Sequence, residues 1–205
     1  MIAILDYGSG NLRSAERALL TTGVEVIVTS DFDIALEAEG LVVPGVGAFG
    51  SCMAGLERLR GPELIRSRLQ SDRPVLGICI GLQILFQGSD EDPGVEGVGI
   101  FPDLIKRLNA PIVPHMGWNQ VIADPKSKLF EGIEAALFYF VHSFAAATIS
   151  EQEAIVTTSE YGDRFIAAIE YGALTATQFH PEKSGEAGLR LLRNWVSSIE
   201  VKQSA

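Results

Sequence analysis

The chain has 205 residues, 47% of them hydrophobic, enough to bury one sizeable core without requiring a second domain. Its 26 acidic and 16 basic residues give a formal net charge of -10, a sign that repels nucleic acid and anionic membranes and favours a neutral small molecule or a protein as partner. The opening MIAILDYGSG meets an acid at Asp6 without a basic leader, and no apolar stretch reaches the roughly 20 residues that span a bilayer, so a soluble, cytoplasmic protein is expected.

In the first half, short apolar runs alternate with longer amphipathic segments. Ile2 to Asp6 reads as a buried strand, Asn11 to Thr22 as a helix with Leu12, Ala15 and Leu19 near one face, and Val24 to Val28 as the next strand. Leu41 to Val43 makes a third strand. Ala54 to Gln70 is helical with a break near Gly61-Pro62, and Pro74 to Ile78 is a fourth strand feeding a helix from Ile80 onward. Beyond Gly88 the texture turns to strands and hairpins, at Val98 to Phe101, Trp118 to Ala123, Leu137 to Val141, Glu153 to Thr158, Phe165 to Tyr171 and Leu174 to Phe179. Glu170 to Ala173 reads as a tight turn between the last two, and Gly185 to Ile199 as a closing helix. The expected fold is α/β: a single domain over 1–205, with a mostly parallel central sheet flanked by helices and an additional antiparallel β section.

The chemistry concentrates in three segments. PVLGICIGLQ, Pro74 to Gln83, is an apolar strand that ends at a cysteine and turns directly into a helix, which is the pattern of a nucleophile elbow. Gly77 and Gly81 lack the Cβ atoms that would crowd so sharp a turn, so Cys79 projects from its tip. The helix N-terminus favours thiolate, and the Ile80 N–H points where it can bind an oxyanion. The only other cysteine, Cys52, has no such setting and reads as packing. Two cysteines make a poor disulfide framework for a domain this large, which fits a reducing compartment.

The second segment, TQFHPEKS, places His180 two residues before Glu182. In extended backbone such residues share a face, so the carboxylate can fix the imidazole tautomer while the other ring nitrogen faces the nucleophile; Pro181 is expected to hold the link extended. His115 and His142 have no carboxylate within three residues and read as structural or substrate-lining. The third segment, Val43 to Gly50, is a glycine-rich loop after a strand. It suits an oxyanion hole or a phosphate, but lacks the lysine and serine or threonine of a P-loop.

These segments, in this order, resemble the class I glutamine amidotransferases over nearly the whole chain. DYGSGNL from Asp6, PGVGAFG from Pro44, PHMGWN from Pro114, YFVHS from Tyr139 and FHPEKS from Phe179 resemble more narrowly the glutaminase branch that serves histidine biosynthesis. The resemblance implies a glutamine amidotransferase type 1 domain in which Cys79 is the nucleophile, His180 the general base and acid, and Glu182 its orienting carboxylate. It assigns Ile80, Val46 and Gly47 to the oxyanion and Gly47, Gln83, Glu91 and Ser143 to L-glutamine. It also implies ammonia transfer to a (β/α)8-barrel cyclase subunit in a heterodimer, with Asn11, Met116, Trp118, Tyr139 and Lys183 at the partner interface or ammonia exit. For Trp118, core burial is the competing reading. No metal and no cofactor are expected. Ile80 and Leu82 depart from the family's usual leucine and methionine, Ser9 stands where proline is frequent, and Phe144 lacks the hydroxyl of a common tyrosine.

Overall fold

Continuous apolar runs, rather than alternating ones, form the centre of the fold. The strands β1 (Ile2–Leu5), β3 (Gly40–Gly45) and β4 (Val75–Cys79) are buried at every position, the pattern of parallel strands covered on both faces. The computed structural model describes the backbone of residues 1–203 and the side chains of 1–199. With β2 (Val26–Thr29), β10 (Ile155–Tyr161), β11 (Asp163–Tyr171) and β12 (Leu174–Thr177), they build a seven-stranded sheet of order β10-β11-β12-β4-β3-β1-β2. β2, β1, β3, β4 and β12 run parallel, and β11 and β10 close that edge antiparallel. The turn at Gly172-Ala173 joins β11 to β12 as expected, with Gly172 at φ 58°.

Helices α1 (Leu12–Leu20) and α6 (Gly185–Gln203) pack together, and α2 (Phe32–Glu37) and α3 (Phe49–Arg58) pack on α4 (Gly61–Gln70). The sequence reading missed α2, although Asp31 caps it by accepting the Ile34 N–H at 2.9 Å. A buried arginine ties α2 to the sheet: the Arg68 guanidinium, fully buried, donates to the carbonyls of Ala35, Leu36, Ala38, Glu39 and Pro74. A cation at a helix C-terminus satisfies both the orphan carbonyls and the helix dipole. Burial brings its pKa down to about 10, so it stays charged.

The second half differs from expectation in three places. The helix after Cys79 is one turn, α5 (Ile80–Gln83), because the chain leaves at Phe86 as β5 (Phe86–Ser89), a strand the sequence reading did not identify. Val98 and Ile100 donate back to Ile84 and Leu85, so the strand expected there begins only at Phe101, as β6 (Phe101–Arg107). β7 is His115–Gln120, earlier than expected, and pairs antiparallel with β8 (Leu137–His142) across a long connection rather than a hairpin. β9 (Phe144–Ala145) completes a small sheet with β5 and β6. No helix among the described residues is long and apolar enough to cross a membrane.

Candidate active site

The strands β3, β4 and β12 run side by side, and the residues that follow their C-terminal ends meet at one cavity of about 500 Å³. Open parallel sheets bind ligands beyond the carboxyl ends of their strands. Val46 and Gly47 follow β3, Cys79 ends β4, and His180 lies just beyond β12.

Cys79 sits at φ 58°, ψ -109°, a conformation costly for a residue with a side chain. The glycines beside it are dictated by close approach: a Cβ on Gly77 would stand 2.4 Å from the Gly81 carbonyl oxygen, and one on Gly81 1.9 Å from that of Val43. The strained backbone aims the thiol at the cavity, where Cys79 is 3% exposed. With α5 only one turn long, polar contacts to the sulfur take on more weight than a helix dipole. Gln178 Nε2 donates to Sγ at 3.8 Å, and the thiol is 3.9 Å from the Val141 carbonyl oxygen. Both cysteines are free.

His180 Nδ1 is 2.8 Å from Glu182 Oε1, with both side chains almost wholly buried. The backbone achieves this differently from the extended link expected: Pro181–Lys183 is a 3-10 turn, which folds Glu182 back under the ring. Proline tolerates the first position of such a turn because its missing N–H has no acceptor there. The turn is pinned to β8, with His180 N donating to the Tyr139 carbonyl and Ser184 Oγ accepting from Tyr139 N. Burial pulls the His180 pKa down, but the neighbouring Cys79 and the hydrogen-bonded Glu182 carboxylate more than reverse this and raise it to about 9. The imidazolium is thereby stabilised beside Cys79.

Four buried side-chain atoms among the described residues have no hydrogen-bond partner, and three lie here: His180 Nε2, Glu182 Oε2 and Gln83 Oε1. Unpaired buried polar atoms are costly, so their concentration at one site marks groups kept available for a ligand.

The other residues singled out in the sequence divide in two. Ile80, Gln83, Glu91 and Ser143 line the cavity with Val46 and Gly47. Glu91 is no free loop acid: Oε2 accepts the Phe49 N–H at 2.9 Å while Asp92 accepts that of Gly50 at 2.7 Å, and together they cap α3 from outside its own sequence. The Ser143 carbonyl is taken by Leu108 N. Val46 N–H is directed to Ser9 Oγ at 3.1 Å, not held free for an oxyanion. Asn11 and Lys183 are exposed at the cavity's rim, and Asn11 also caps α1 through Ser14 N. Met116 and Trp118 are 63% and 55% exposed on the outer face of β7, so core burial is excluded for Trp118, whose ring meets Tyr139 edge-on.

Three participants were not visible to sequence reasoning. Gln178 was a strand residue with no special spacing, Ser9 a departure from a motif, and the Phe144 carbonyl a backbone atom. Phe144 O accepts from Gln83 Nε2 at 2.9 Å and from His142 Nδ1 at 3.0 Å. His115 and His142 are buried and hydrogen-bonded to each other at 3.0 Å. Burial lowers the His115 pKa to about 4; for His142 burial outweighs the Phe144 hydrogen bond and the value falls to about 3, so both rings are neutral near pH 7.

A strained cysteine elbow, a carboxylate-clamped histidine and a glycine loop thus surround one cavity. The family model described as glutamine amidotransferase class-I matches residues 3–199. The fold superposes on a crystal structure of a glutamine amidotransferase with TM-score 0.78 at 18% identity, covering 97% of this chain and 98% of that one. A chain in the structure of PurLQS from Thermotoga maritima gives 0.72 at 18% identity, over 97% and 98%. The chain belongs to the class I glutamine amidotransferase family. Its curated relatives are more specific: imidazole glycerol phosphate synthase subunit HisH of Nocardia farcinica is 56% identical over 206 residues, covering 97% of this chain and 98% of the relative. The same subunit of Thermobifida fusca is 53% identical over 207 residues, with the same coverage.

Proposed function

We propose that this chain is the glutaminase subunit of an imidazole glycerol phosphate synthase, hydrolysing L-glutamine to glutamate and ammonia for a cyclase partner. The observation that carries the reading is the His180–Glu182 clamp with Nε2 unpartnered, in the same cavity wall as the strained Cys79. The high identity to HisH subunits along the whole length supports the particular pathway.

In this mechanism the Cys79 thiol passes its proton to His180 Nε2, and the sulfur attacks the side-chain amide carbon of glutamine. The tetrahedral oxyanion is bound by Ile80 and Val46-Gly47 backbone N–H groups. His180 then gives its proton to the departing nitrogen, which leaves as ammonia, and a glutamyl thioester remains on Cys79. His180 next takes a proton from water, the hydroxide attacks the thioester, and glutamate and the thiol are released. Glu182 holds the ring and offsets its charge throughout. Gln83, Glu91, Gly47 and the Ser143 backbone hold the amino-acid end of the substrate.

Val46 N–H is committed to Ser9 in this conformation, so one donor of the oxyanion hole is absent until the loop turns. The isolated chain is accordingly expected to be nearly inactive. The exposed face carrying Met116 and Trp118, with Tyr139, Asn11 and Lys183 nearby, is where a (β/α)8-barrel cyclase subunit would dock and take up ammonia, in a cytoplasmic heterodimer. Glutamate release measured with and without the acceptor-loaded cyclase tests this reading. Equal, rapid hydrolysis by the chain alone would contradict it.

A further inference from the structure

Seven polar groups form an unbroken line from the surface to the sulfur. Asn119 Nδ2 donates to the Glu160 carbonyl at 2.9 Å and contacts His115 Nε2 at 3.3 Å; His115 Nδ1 meets His142 Nε2 at 3.0 Å; His142 Nδ1 meets the Phe144 carbonyl. On the far side of that carbonyl, Gln83 Nε2 donates to Phe144 O and to Gln178 Oε1 at 3.0 Å, and Gln178 Nε2 donates to Cys79 Sγ.

The direction of every hydrogen follows from the carbonyl, which only accepts. His142 must be protonated at Nδ1, so its Nε2 accepts from His115 Nδ1–H, and His115 Nε2 accepts from Asn119. In the other direction the carbonyl draws the amide nitrogen of Gln83 toward itself. Both Nε2 hydrogens are then used, one on Phe144 and one on Gln178, and Oε1 is left buried without a partner. Gln178, accepting through its oxygen, turns its N–H to the sulfur. Reversing any one member would set two donors or two acceptors face to face in a buried site, at a cost.

We propose that His142, oriented by His115, is a positioning residue that fixes the Phe144 carbonyl and through it the amide polarity of Gln83 and Gln178. The consequence is a Gln83 side chain held in one orientation in the cavity wall, and an N–H donor to Cys79. Following it through glutamine kinetics rests on the glutaminase reading.

The test compares wild type with His142→Leu, which removes both ring nitrogens, and His142→Asn, whose amide reproduces a donor near Nδ1. Steady-state glutaminase kinetics are measured in the complex with the loaded cyclase. His142→Leu is expected to raise KM for glutamine about tenfold with kcat changed much less, and His142→Asn to recover most of that loss. A role in stability alone would lower the melting temperature and the active fraction at constant KM, and that result overturns the proposal, as does equal behaviour of the two variants. Should His142→Leu fail to fold, long-range ¹H–¹⁵N NMR of the ¹⁵N-histidine-labelled wild-type chain at pH 7 decides the geometry. Neutral Nδ1–H tautomers of both His115 and His142 support the relay, whereas an Nε2–H His142 ends it. Absence of glutamine turnover in the wild-type complex would sink the functional reading and leave this tautomer measurement to judge the relay.

Discussion

One hydroxyl holds both sides of one residue: Ser9 Oγ donates to the Val46 carbonyl at 2.8 Å and accepts the Val46 N–H at 3.1 Å. Ser9 does not line the cavity and lies against Cys52, so the N–H of Val46 is drawn away from the cavity that Cys79 faces. The departure from proline at this position therefore adds a side-chain latch to the glycine loop.

Removing the latch is expected to favour the turned loop. With a net hydrogen-bond contribution of about 1 kcal/mol, Ser9→Ala should raise glutamine hydrolysis by the isolated chain about fivefold, leaving the rate of the full complex nearly unchanged. Glutamate release by the chain alone reads this out, and an unchanged or lower basal rate refutes it.

The Glu182 carboxylate contributes to holding the His180 pKa near 9. Glu182→Gln should lower that value and reduce kcat by about 10²-fold, with KM for glutamine little affected. The pH profile of Cys79 alkylation, followed on its peptide by mass spectrometry, should change with it, because a less basic imidazole stabilises the thiolate less. A profile indistinguishable from wild type would count against the pairing.

The buried neutral histidines make a prediction about acid. Their folded pKa values, about 4 and about 3, lie below the ordinary 6.5, so between these limits the unfolded chain binds more protons than the folded one. Stability must then fall as pH drops from 6.5 towards 4, by a few kcal/mol in order of magnitude. Urea midpoints measured across this range should show that slope, and it should flatten in His142→Asn. His180 works in the opposite sense: its raised pKa stabilises the fold fully below 6.5 and the contribution is lost as pH rises to about 9.

The elbow tolerates no extra carbon. Gly81→Ala places a Cβ on α5 1.9 Å from the Val43 carbonyl oxygen of β3, a strand buried throughout, so the backbone itself must shift. A loss of about 3 kcal/mol or an insoluble product is expected, and a variant of wild-type melting temperature would show that the β3–β4 corner is less tightly packed than described.

Much of this was legible beforehand because local pattern and local structure coincide at β1, β4 and the closing helix, where long apolar runs and helical spacing leave one good solution. The glycines flanking Cys79 announced a crowded corner, and the corner is crowded. His180 and Glu182 were paired correctly for the wrong backbone reason: residues two apart meet in an extended strand and also across a 3-10 turn, and the sequence does not separate the two. Trp118 could be core or surface until the register of β7 put it on the outer face with Met116.

The order of residues by itself determined the α/β class, the elbow and the histidine–carboxylate pair, since each depends on neighbours within a few positions. Only the tertiary structure decided that Ser9 reaches Val46, that Glu91 and Asp92 cap a helix some 42 residues away, and that Gln178 and His142 act on the site. Those contacts join chain segments that meet only when the sheet forms, and where a backbone carbonyl points is a property of position that no residue type encodes.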